Sequence, residues 1–328
     1  ISAEIPILKK GSAIVNFRKS RPSNQFSKVR ESIEKYMTVD NKFNLITETG
    51  EQNINQNSEY DLFSSYEDFF YRFSYLINSR HRATFTLINS SDSVFEDRSY
   101  YGFSNILESD TAYIEEKNSF KNLGQSINLY SQWNNKYSTQ LSFSNYSYEN
   151  NYSSIQSSPG SNNISIVGTA DKFHSLSDHS IRFIQQYRNM KNHNLSIGFE
   201  ENYFSTHFGS ENAENASLSA AHRTQNGYIY SFFINDTWSL KNRWKFDTGI
   251  RYSYFDNLDK LYFEPRISII HKIKHNLSLE LSYGEHNQFV HQLGKENNSN
   301  FNINSRFLSS TKIPTILSKN FQSGIHWD

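Results

Sequence analysis

Apolar and polar side chains alternate with a period of two along most of the chain. Between Trp244 and Asp256, one set of alternate positions is aromatic, aliphatic or Thr, and the other is polar or charged. The same alternation recurs in Leu277–Gly284 and in Tyr228–Leu240, where Asp236 is the exception on the apolar side. Successive side chains of a β-strand point to opposite faces, so this pattern predicts strands with one apolar and one polar face.

Further runs of the same kind predict about twelve strands in total, with a thirteenth beginning near Phe321. Most are close to the roughly 9–11 residues that a tilted strand needs to cross a bilayer. A single helical turn is predicted for Ser27–Tyr36, because Val29, Ile33 and Tyr36 share helical spacing. The remaining predicted strands are Ile1–Leu8, Ser12–Arg18, Phe69–Ile77, Ala83–Asn89, Gly124–Trp133, Tyr137–Tyr146, Ile181–Tyr187, Leu195–Phe204 and Glu264–Lys272.

The predicted connections alternate between short turns and longer polar segments. The short turns are Lys9–Gly11, Asn78–His81, Asn134–Lys136, Asn189–His193, Ser239–Arg243 and Lys272–Asn276. The others are Lys19–Asp68, Ser90–Asn122, Ser147–Asp178, Ser205–Asn226, Phe289–Leu317 and the shorter Phe255–Phe263. Short periplasmic turns and long extracellular loops are typical of outer-membrane barrels, whereas a soluble β-sandwich has no reason to keep this asymmetry. The pattern therefore predicts an all-β fold, an antiparallel up-and-down transmembrane β-barrel.

The aromatic residues agree with a membrane-spanning barrel. Trp133, Trp238 and Trp244 lie beside predicted short turns. A second aromatic group lies toward the ends with long connections, namely Tyr203, Phe204, Tyr252, Tyr254 and Tyr262. Two aromatic girdles at the membrane interfaces would produce this distribution.

The amino-acid composition indicates the same fold class. The chain is only 36% hydrophobic with a mean hydropathy of −0.71, which is polar for a conventional core, yet 16% of its residues are aromatic, which is unusual for a disordered chain. A barrel reconciles the two values, because one face of each strand lines a wet lumen. The formal net charge of zero, without a basic run, argues against a nucleic-acid partner. No apolar run approaches the length of a transmembrane helix.

Several motifs resemble those of TonB-dependent outer-membrane receptors. Gly249-Ile250-Arg251, followed by Pro265-Arg266-Ile267-Ser268, resembles the Gly-x-Arg … Pro-Arg-x-Ser hairpin of this family. The preceding strand, from Tyr230 to Asp236, resembles the strand before that hairpin. The stretch Tyr283-Gly284-Glu285-His286-Asn287-Gln288, continued by His291 and Leu293, resembles the Tyr-x-x-x-x-Gln-x-x-His-x-Leu stretch of Bacteroidetes members.

Near the beginning, Pro6–Gly11 and Asn16–Ser20 resemble the start of the same barrel. One departure follows the Gln-x-x-His stretch, where relatives often carry a Pro-Thr-Asp-Leu-Trp-like segment. Here the chain reads Asn304-Ser305-Arg306-Phe307-Leu308, without Trp.

The resemblance implies a 22-stranded barrel filled by an N-terminal plug domain. Residues 1–328 are then expected to be a partial barrel domain without the plug and the C-terminal strands, with both ends of the chain as cuts. The implied function is import of a scarce nutrient across the Gram-negative outer membrane. The implied partners are outer-membrane lipid, TonB through the missing N-terminal part, a lid-like surface lipoprotein and the nutrient, which could be a siderophore, cobalamin, a glycan or a peptide.

Candidate ligand-binding residues come from the polar face and from one loop. Arg251, Arg266 and Glu280 fall on the polar positions and are expected to face the lumen, where they either contact substrate or hold the plug. At the end of a strand, His286, Gln288 and His291 could contact ligand. The histidine spacings do not match a closed metal site, and no cofactor is predicted.

Three other classes of function remain open from sequence alone. A passive porin or adhesin barrel would have no plug. An outer-membrane barrel enzyme would need Ser and His adjacent at one girdle, although no Gly-x-Ser-x-Gly motif occurs, so we expect no catalytic residue. A soluble β-rich lectin would not need detergent.

Overall fold

The computed structural model describes residues 2–7, 10–20, 44–47, 50–53, 60–104, 107–159, 164–190, 192–214, 217–241, 243–295 and 303–327. The predicted helical turn at Ser27–Tyr36 lies outside these residues. Within them, no helix combines the length and the apolar content required to traverse a membrane.

Almost every described residue belongs to a β-strand. The strands of the main sheet are β1 (Ser2–Ile7), β2 (Gly11–Lys19), β5 (Tyr60–Leu76), β6 (His81–Ser104), β7 (Leu107–Gln132), β8 (Tyr137–Pro159), β9 (Ile164–Met190), β10 (His193–Glu214), β11 (Ser217–Leu240), β12 (Trp244–Phe255), β13 (Lys260–Lys274), β14 (Leu277–Gln288) and β17 (Ile316–Trp327). Two small hairpins complete the described strands, β3 (Asn44–Thr47) with β4 (Gly50–Asn53) and β15 (Val290–Lys295) with β16 (Ile303–Leu308).

The main sheet has 13 strands in the order β1-β2-β5-β6-β7-β8-β9-β10-β11-β12-β13-β14-β17. Each strand pairs antiparallel with the next, as in an up-and-down barrel wall. Within this order, β1 and β17 are the two edge strands. The all-β, antiparallel up-and-down fold and the strand beginning near Phe321 are therefore confirmed.

The turns predicted to be short are short, and two of them use the same side-chain chemistry. Asn78 Oδ1 accepts backbone N–H bonds from Arg80 (2.9 Å) and His81 (3.0 Å). In the next short turn, Asn134 Oδ1 accepts from Lys136 (2.8 Å) and Tyr137 (3.1 Å). An Asn side chain that substitutes for a backbone acceptor in this way stabilises a tight reversal.

At the end of the sheet opposite the short turns, the strands extend further than the alternation predicts. Strands β6 to β11 contain between 22 and 27 residues. Three segments predicted as loops, 90–122, 147–178 and 205–226, lie largely within these strands. Beyond a membrane both faces of a strand are wet, so alternation disappears although backbone pairing continues, for example up to Glu214 opposite Ser217.

One face of the sheet, the outer face, carries an apolar surface bounded by two aromatic groups. The lower group lies at the short turns: Trp238 and Trp244 stack on Phe246 at 5.2 and 5.9 Å. The upper group, or upper aromatic ladder, comprises Tyr203, Tyr228, Tyr230 and Tyr254, whose rings follow one another at 4.7, 5.8 and 6.5 Å.

The distance between the two groups matches the height of an outer-membrane barrel. On β11, Trp238 and Tyr228 are ten residues apart. At about 3.3 Å per residue and a tilt of roughly 40°, this separation is about 25 Å along the barrel axis. Between them, half of the Phe232 side chain is exposed on the outer face.

Two of the predicted girdle residues point the other way. Phe204 lines a cavity on the inner face, and Tyr262 is buried there against Phe289 at 5.0 Å. Adjacent residues of a strand face opposite sides, so Tyr203 and Phe204 cannot both belong to one girdle.

Candidate functional site

A charged cluster lies on the inner face where β9 to β13 run side by side. Arg251 forms ion pairs with Glu200 (Nη1 to Oε2, 3.1 Å) and with Glu264 (Nε to Oε2, 3.7 Å). Its guanidinium also donates to Ser231 Oγ at 2.8 Å and to Ser253 Oγ at 3.3 Å. Register explains the cluster, because Glu200, Ser231 and Ser253 are direct cross-strand neighbours and Arg251 lies opposite Glu264.

Glu264 is the most buried acid of this cluster. Its Oε1 accepts hydrogen bonds from the backbone N–H of Asn287 at 2.6 Å and from the Asn287 amide at 3.2 Å. Only 9% of the Glu264 side chain is exposed. The cluster is therefore internally compensated, with Arg251 committed to two carboxylates and two hydroxyl groups.

An aromatic ring covers the cluster from the side of the short turns. The guanidinium groups of Arg182 and Arg251 lie 5.4 and 5.9 Å from the centre of the Phe233 ring. The ring lies across Gly198, where an added Cβ would come within 2.2 Å of it. The missing side chain at Gly198 thus leaves the space that the end of the Phe233 ring occupies.

A cavity of about 300 Å³ adjoins the cluster on the inner face. Its lining includes Arg251, Glu264, Arg266 and His286, and Phe289 bounds it. The side chain of Arg266 passes close to Gly249, where a Cβ would lie 3.0 Å from Arg266 Nε. Among the described residues, Arg251 has ion-pair partners within 4 Å and Arg266 has none, so the Arg266 guanidinium lines the cavity without a carboxylate in direct contact.

The structure brings only some of the sequence-predicted ligand residues together. Arg251, Arg266 and His286 line the same cavity. Glu280 lies toward the short turns, where its carboxylate is 3.0 Å from His326 Nε2. Gln288 is exposed and donates to the carbonyl of Val290 at 2.7 Å.

His291, the remaining candidate, is buried within the segment that follows β14. Its Nε2 lies 2.7 Å from Ser309 Oγ, and both residues have less than a twentieth of their surface exposed. The segment predicted as the loop Phe289–Leu317 therefore contains a folded β15–β16 hairpin. Sequence reasoning missed this hairpin, because Asn-rich composition is typical of loops.

The β15–β16 hairpin packs onto the inner face of β9, β10 and β11. At its base, the Ser309 N–H donates to the Phe289 carbonyl at 2.8 Å, and Leu308 is completely buried. A small core forms there from Ile229, Phe255, Tyr262, Phe289 and Leu308. The hairpin is thus part of the packed structure of the inner face.

Further along the wall, the hairpin contacts His174. His174 Nε2 lies 2.9 Å from the Arg306 backbone nitrogen and 2.8 Å from its carbonyl oxygen. His174 lies five residues beyond His179, which pairs with Tyr203 of the upper aromatic ladder, so it is outside the membrane-spanning part. Burial lowers the pKa of His174, the hydrogen bond to the Arg306 backbone opposes this effect, and the positive charge of Arg306 adds to it.

Acid is therefore expected to weaken hairpin docking. The docked state binds fewer protons than the released state, because burial lowers the pKa of His174 in the docked form, and burial also lowers that of His291. Docking is then stable above the ordinary histidine pKa of 6.5 and loses stability as pH falls below it. Hydrogen exchange of the amides of 303–308, corrected for intrinsic pH dependence, should be faster at pH 5.5 than at pH 7.5.

The matched variant for this measurement is His174→Gln, which keeps a hydrogen-bonding group but cannot titrate. We expect the pH dependence of exchange to shrink in this variant. Identical pH dependence in the wild type and the variant would contradict the role of His174. Burial raises the pKa of Tyr148, whose ring contacts His174, so Tyr148 stays neutral over this range.

Comparison with known proteins agrees with this geometry. The family model described as "TonB dependent receptor-like, beta-barrel" matches residues 39–307. The fold is similar to that of a mutant ferric enterobactin receptor (PfeA) from Pseudomonas aeruginosa, with a TM-score of 0.54 and 10% identity over 99% of this chain and 47% of that one. It is also similar to the RagAB peptide transporter, with a TM-score of 0.50 and 10% identity over 84% and 41% of the two chains. No curated protein sequence matches.

The chain belongs to the family of TonB-dependent receptor-like β-barrels, because the family model covers most of its length. Proteins of this family reside in the outer membrane of Gram-negative bacteria, and this location is assigned to the chain. The chain spans about half the length of the solved structures that it matches.

Proposed function

We propose that the chain forms part of the barrel wall of an outer-membrane receptor that imports a scarce nutrient with energy from TonB. The observation that supports this proposal is an inner face on which Arg266, a cation without a direct ion-pair partner among the described residues, lines a cavity beside a hairpin that covers part of the wall. A passive channel would favour an unobstructed lumen, whereas a high-affinity receptor needs a specific, occluded binding surface.

The remaining parts of the receptor are proposed by analogy with the family. Residues 1–328 are proposed to be a partial barrel domain, with a plug domain and further strands elsewhere in the protein. TonB would act through the plug, lipid would contact the apolar outer face, and a surface lipoprotein would be a further partner. The family and the similar structures are receptors and transporters, which favours transport over an enzymatic function.

Within the cavity, Arg266 and His286 are proposed to face the nutrient or the plug. Arg251 and Glu264 instead hold the wall together, because their charges are already paired. His291 is proposed to act indirectly, through hairpin docking, while Gln288 and Glu280 lie away from the cavity centre.

The proposal is tested by growth on limiting nutrients. Deletion of the gene should impair growth when iron–siderophore, cobalamin, a glycan or a peptide mixture is the only source of the limiting nutrient. Loss of TonB should reproduce the same defect, and the intact gene should restore growth. Normal growth of the deletion strain on every source, or a defect that does not depend on TonB, would contradict energised uptake.

A further inference from the structure

Four side chains of the wall converge on one short segment of the β15–β16 hairpin. Tyr148, His174, Phe208 and Gln225 project from the inner faces of β8, β9, β10 and β11, and together they form the inner-wall notch. The segment 306–308 lies in this notch. The notch lies beyond the upper aromatic ladder, where β9 and β10 extend away from the short turns.

The notch contacts the backbone of the segment through side chains of the wall. His174 Nε2 is within hydrogen-bonding distance of both the N–H and the carbonyl of Arg306, at 2.9 and 2.8 Å. Gln225 Oε1 accepts from the Leu308 N–H at 3.3 Å. Contacts to backbone atoms are available to any peptide in an extended conformation, so this part of the notch does not depend on sequence.

The side chains of the segment meet surfaces of matching chemistry. The Arg306 guanidinium lies 4.2 Å from the centre of the Tyr148 ring, which is a cation–π contact. The Phe307 ring contacts His174 and Phe208, with ring centres at 6.4 and 6.0 Å. The notch therefore accommodates a cationic residue followed by an aromatic one.

The base of the hairpin is held independently of the notch. Leu308 and Ser309 are fully buried, and Ser309 is bonded to Phe289 and His291. Residues 306 and 307 can consequently leave the wall while Ser309 and the base of the hairpin stay packed. Loss of the contacts at the notch would then uncover it without unfolding the wall.

We propose that the inner-wall notch is a binding site for extended peptides with a cationic residue followed by an aromatic residue, and that the chain's own Arg306 and Phe307 occupy it until such a peptide displaces them. As a statement of substrate class, this inference rests on the proposed uptake function. It predicts competition between substrate and the hairpin for the same wall residues.

The test uses the full-length receptor in detergent and a fluorescent acetyl-Arg-Phe-Leu-amide probe. Acetyl-Glu-Phe-Leu-amide is the control, because it reverses the charge and keeps the other two residues. We expect the Arg probe to bind more tightly than the Glu probe. Arg306→Ala should raise the affinity for the Arg probe about fivefold, the factor that corresponds to an ordinary cation–π contact.

A second pair of variants tests the wall. Tyr148→Leu should remove the preference for the Arg probe, whereas Tyr148→Phe, which retains the ring face, should keep it. A gain of affinity in Arg306→Ala cannot result from misfolding, so the proposal does not depend on a loss of binding alone. Equal affinity for the two probes, or unchanged affinity in Arg306→Ala, would overturn it.

The proposals of a peptide site and of an uptake function are contradicted by different experimental results. A TonB-dependent growth defect without probe binding would leave uptake in place and overturn the peptide assignment. Probe binding that follows the predicted variants, together with normal growth of the deletion strain on all sources, would support the notch and overturn uptake.

Discussion

Replacing Arg251 with Ala is expected to destabilise the intact barrel by about 3 kcal/mol, the order of the cost of breaking a buried ion pair by removing one partner. The variant removes ion pairs to Glu200 and Glu264 and hydrogen bonds to Ser231 and Ser253. Glu264, with 9% of its side chain exposed, would lose its nearest cation. Denaturant unfolding of the full-length protein, refolded from detergent, measures this change.

A double variant isolates the electrostatic part of the effect. In Arg251→Ala with Glu264→Gln, no uncompensated charge remains at position 264, so part of the lost stability should return. The exposed pair of Arg18 and Asp68 provides a control, because 72% of the Arg18 side chain is exposed. Arg18→Ala should leave the unfolding midpoint unchanged. A double variant less stable than Arg251→Ala would contradict the charge argument.

Replacing Gly198 with Ala is expected to cost about 2 kcal/mol, within the range for overpacking a tight site. An added Cβ would lie 2.2 Å from the Phe233 ring, so the ring must move. Movement would also separate it from Arg182 and Arg251, whose guanidinium groups lie 5.4 and 5.9 Å from its centre. Denaturant unfolding of the full-length protein measures this loss of stability as well.

Gly124→Ala is the matched control for this substitution. It adds the same methyl group within a paired strand, but the nearest heavy atoms would be 3.8 Å away, which is ordinary contact. We expect no loss of stability from it. Phe233→Leu should partly suppress the effect of Gly198→Ala, since a smaller side chain leaves room for Cβ. Equal destabilisation by the two glycine substitutions would exclude the steric explanation.

The fold class could be predicted because a strand between lipid and a wet lumen has one apolar and one polar face. The alternation in Trp244–Asp256 is retained in β12, and the strand predicted to begin near Phe321 is found as β17, which begins at Ile316. Strand length could not be predicted in the same way. Between Ser90 and Ser104 the sequence keeps no regular alternation of apolar and polar positions, although strand β6 continues through this stretch and pairs with β7.

The candidate site was only partly predictable for a related reason. The alternation of apolar and polar positions placed Arg251 and Arg266 on the inner face, and both line the cavity. The alternation could not distinguish the roles of these two residues, because the ion pair of Arg251 depends on Glu200, which lies two strands away on β10. The contact between His174 and Arg306 joins residues 132 positions apart, and no local pattern encodes such a contact.

The amino-acid sequence by itself determined the apolar and polar faces of the strands, where the tight turns fall and most residues of the aromatic boundary, although Phe204 and Tyr262 face inward. These are local properties, set by the two-residue period of a strand and by turn chemistry. Only the tertiary structure decided which charges compensate one another, that Phe233 fills the space above Gly198, and that the Asn-rich segment after β14 folds back onto the wall. Those features depend on register between neighbouring strands and on packing across them, which bring together residues that no short stretch of sequence connects.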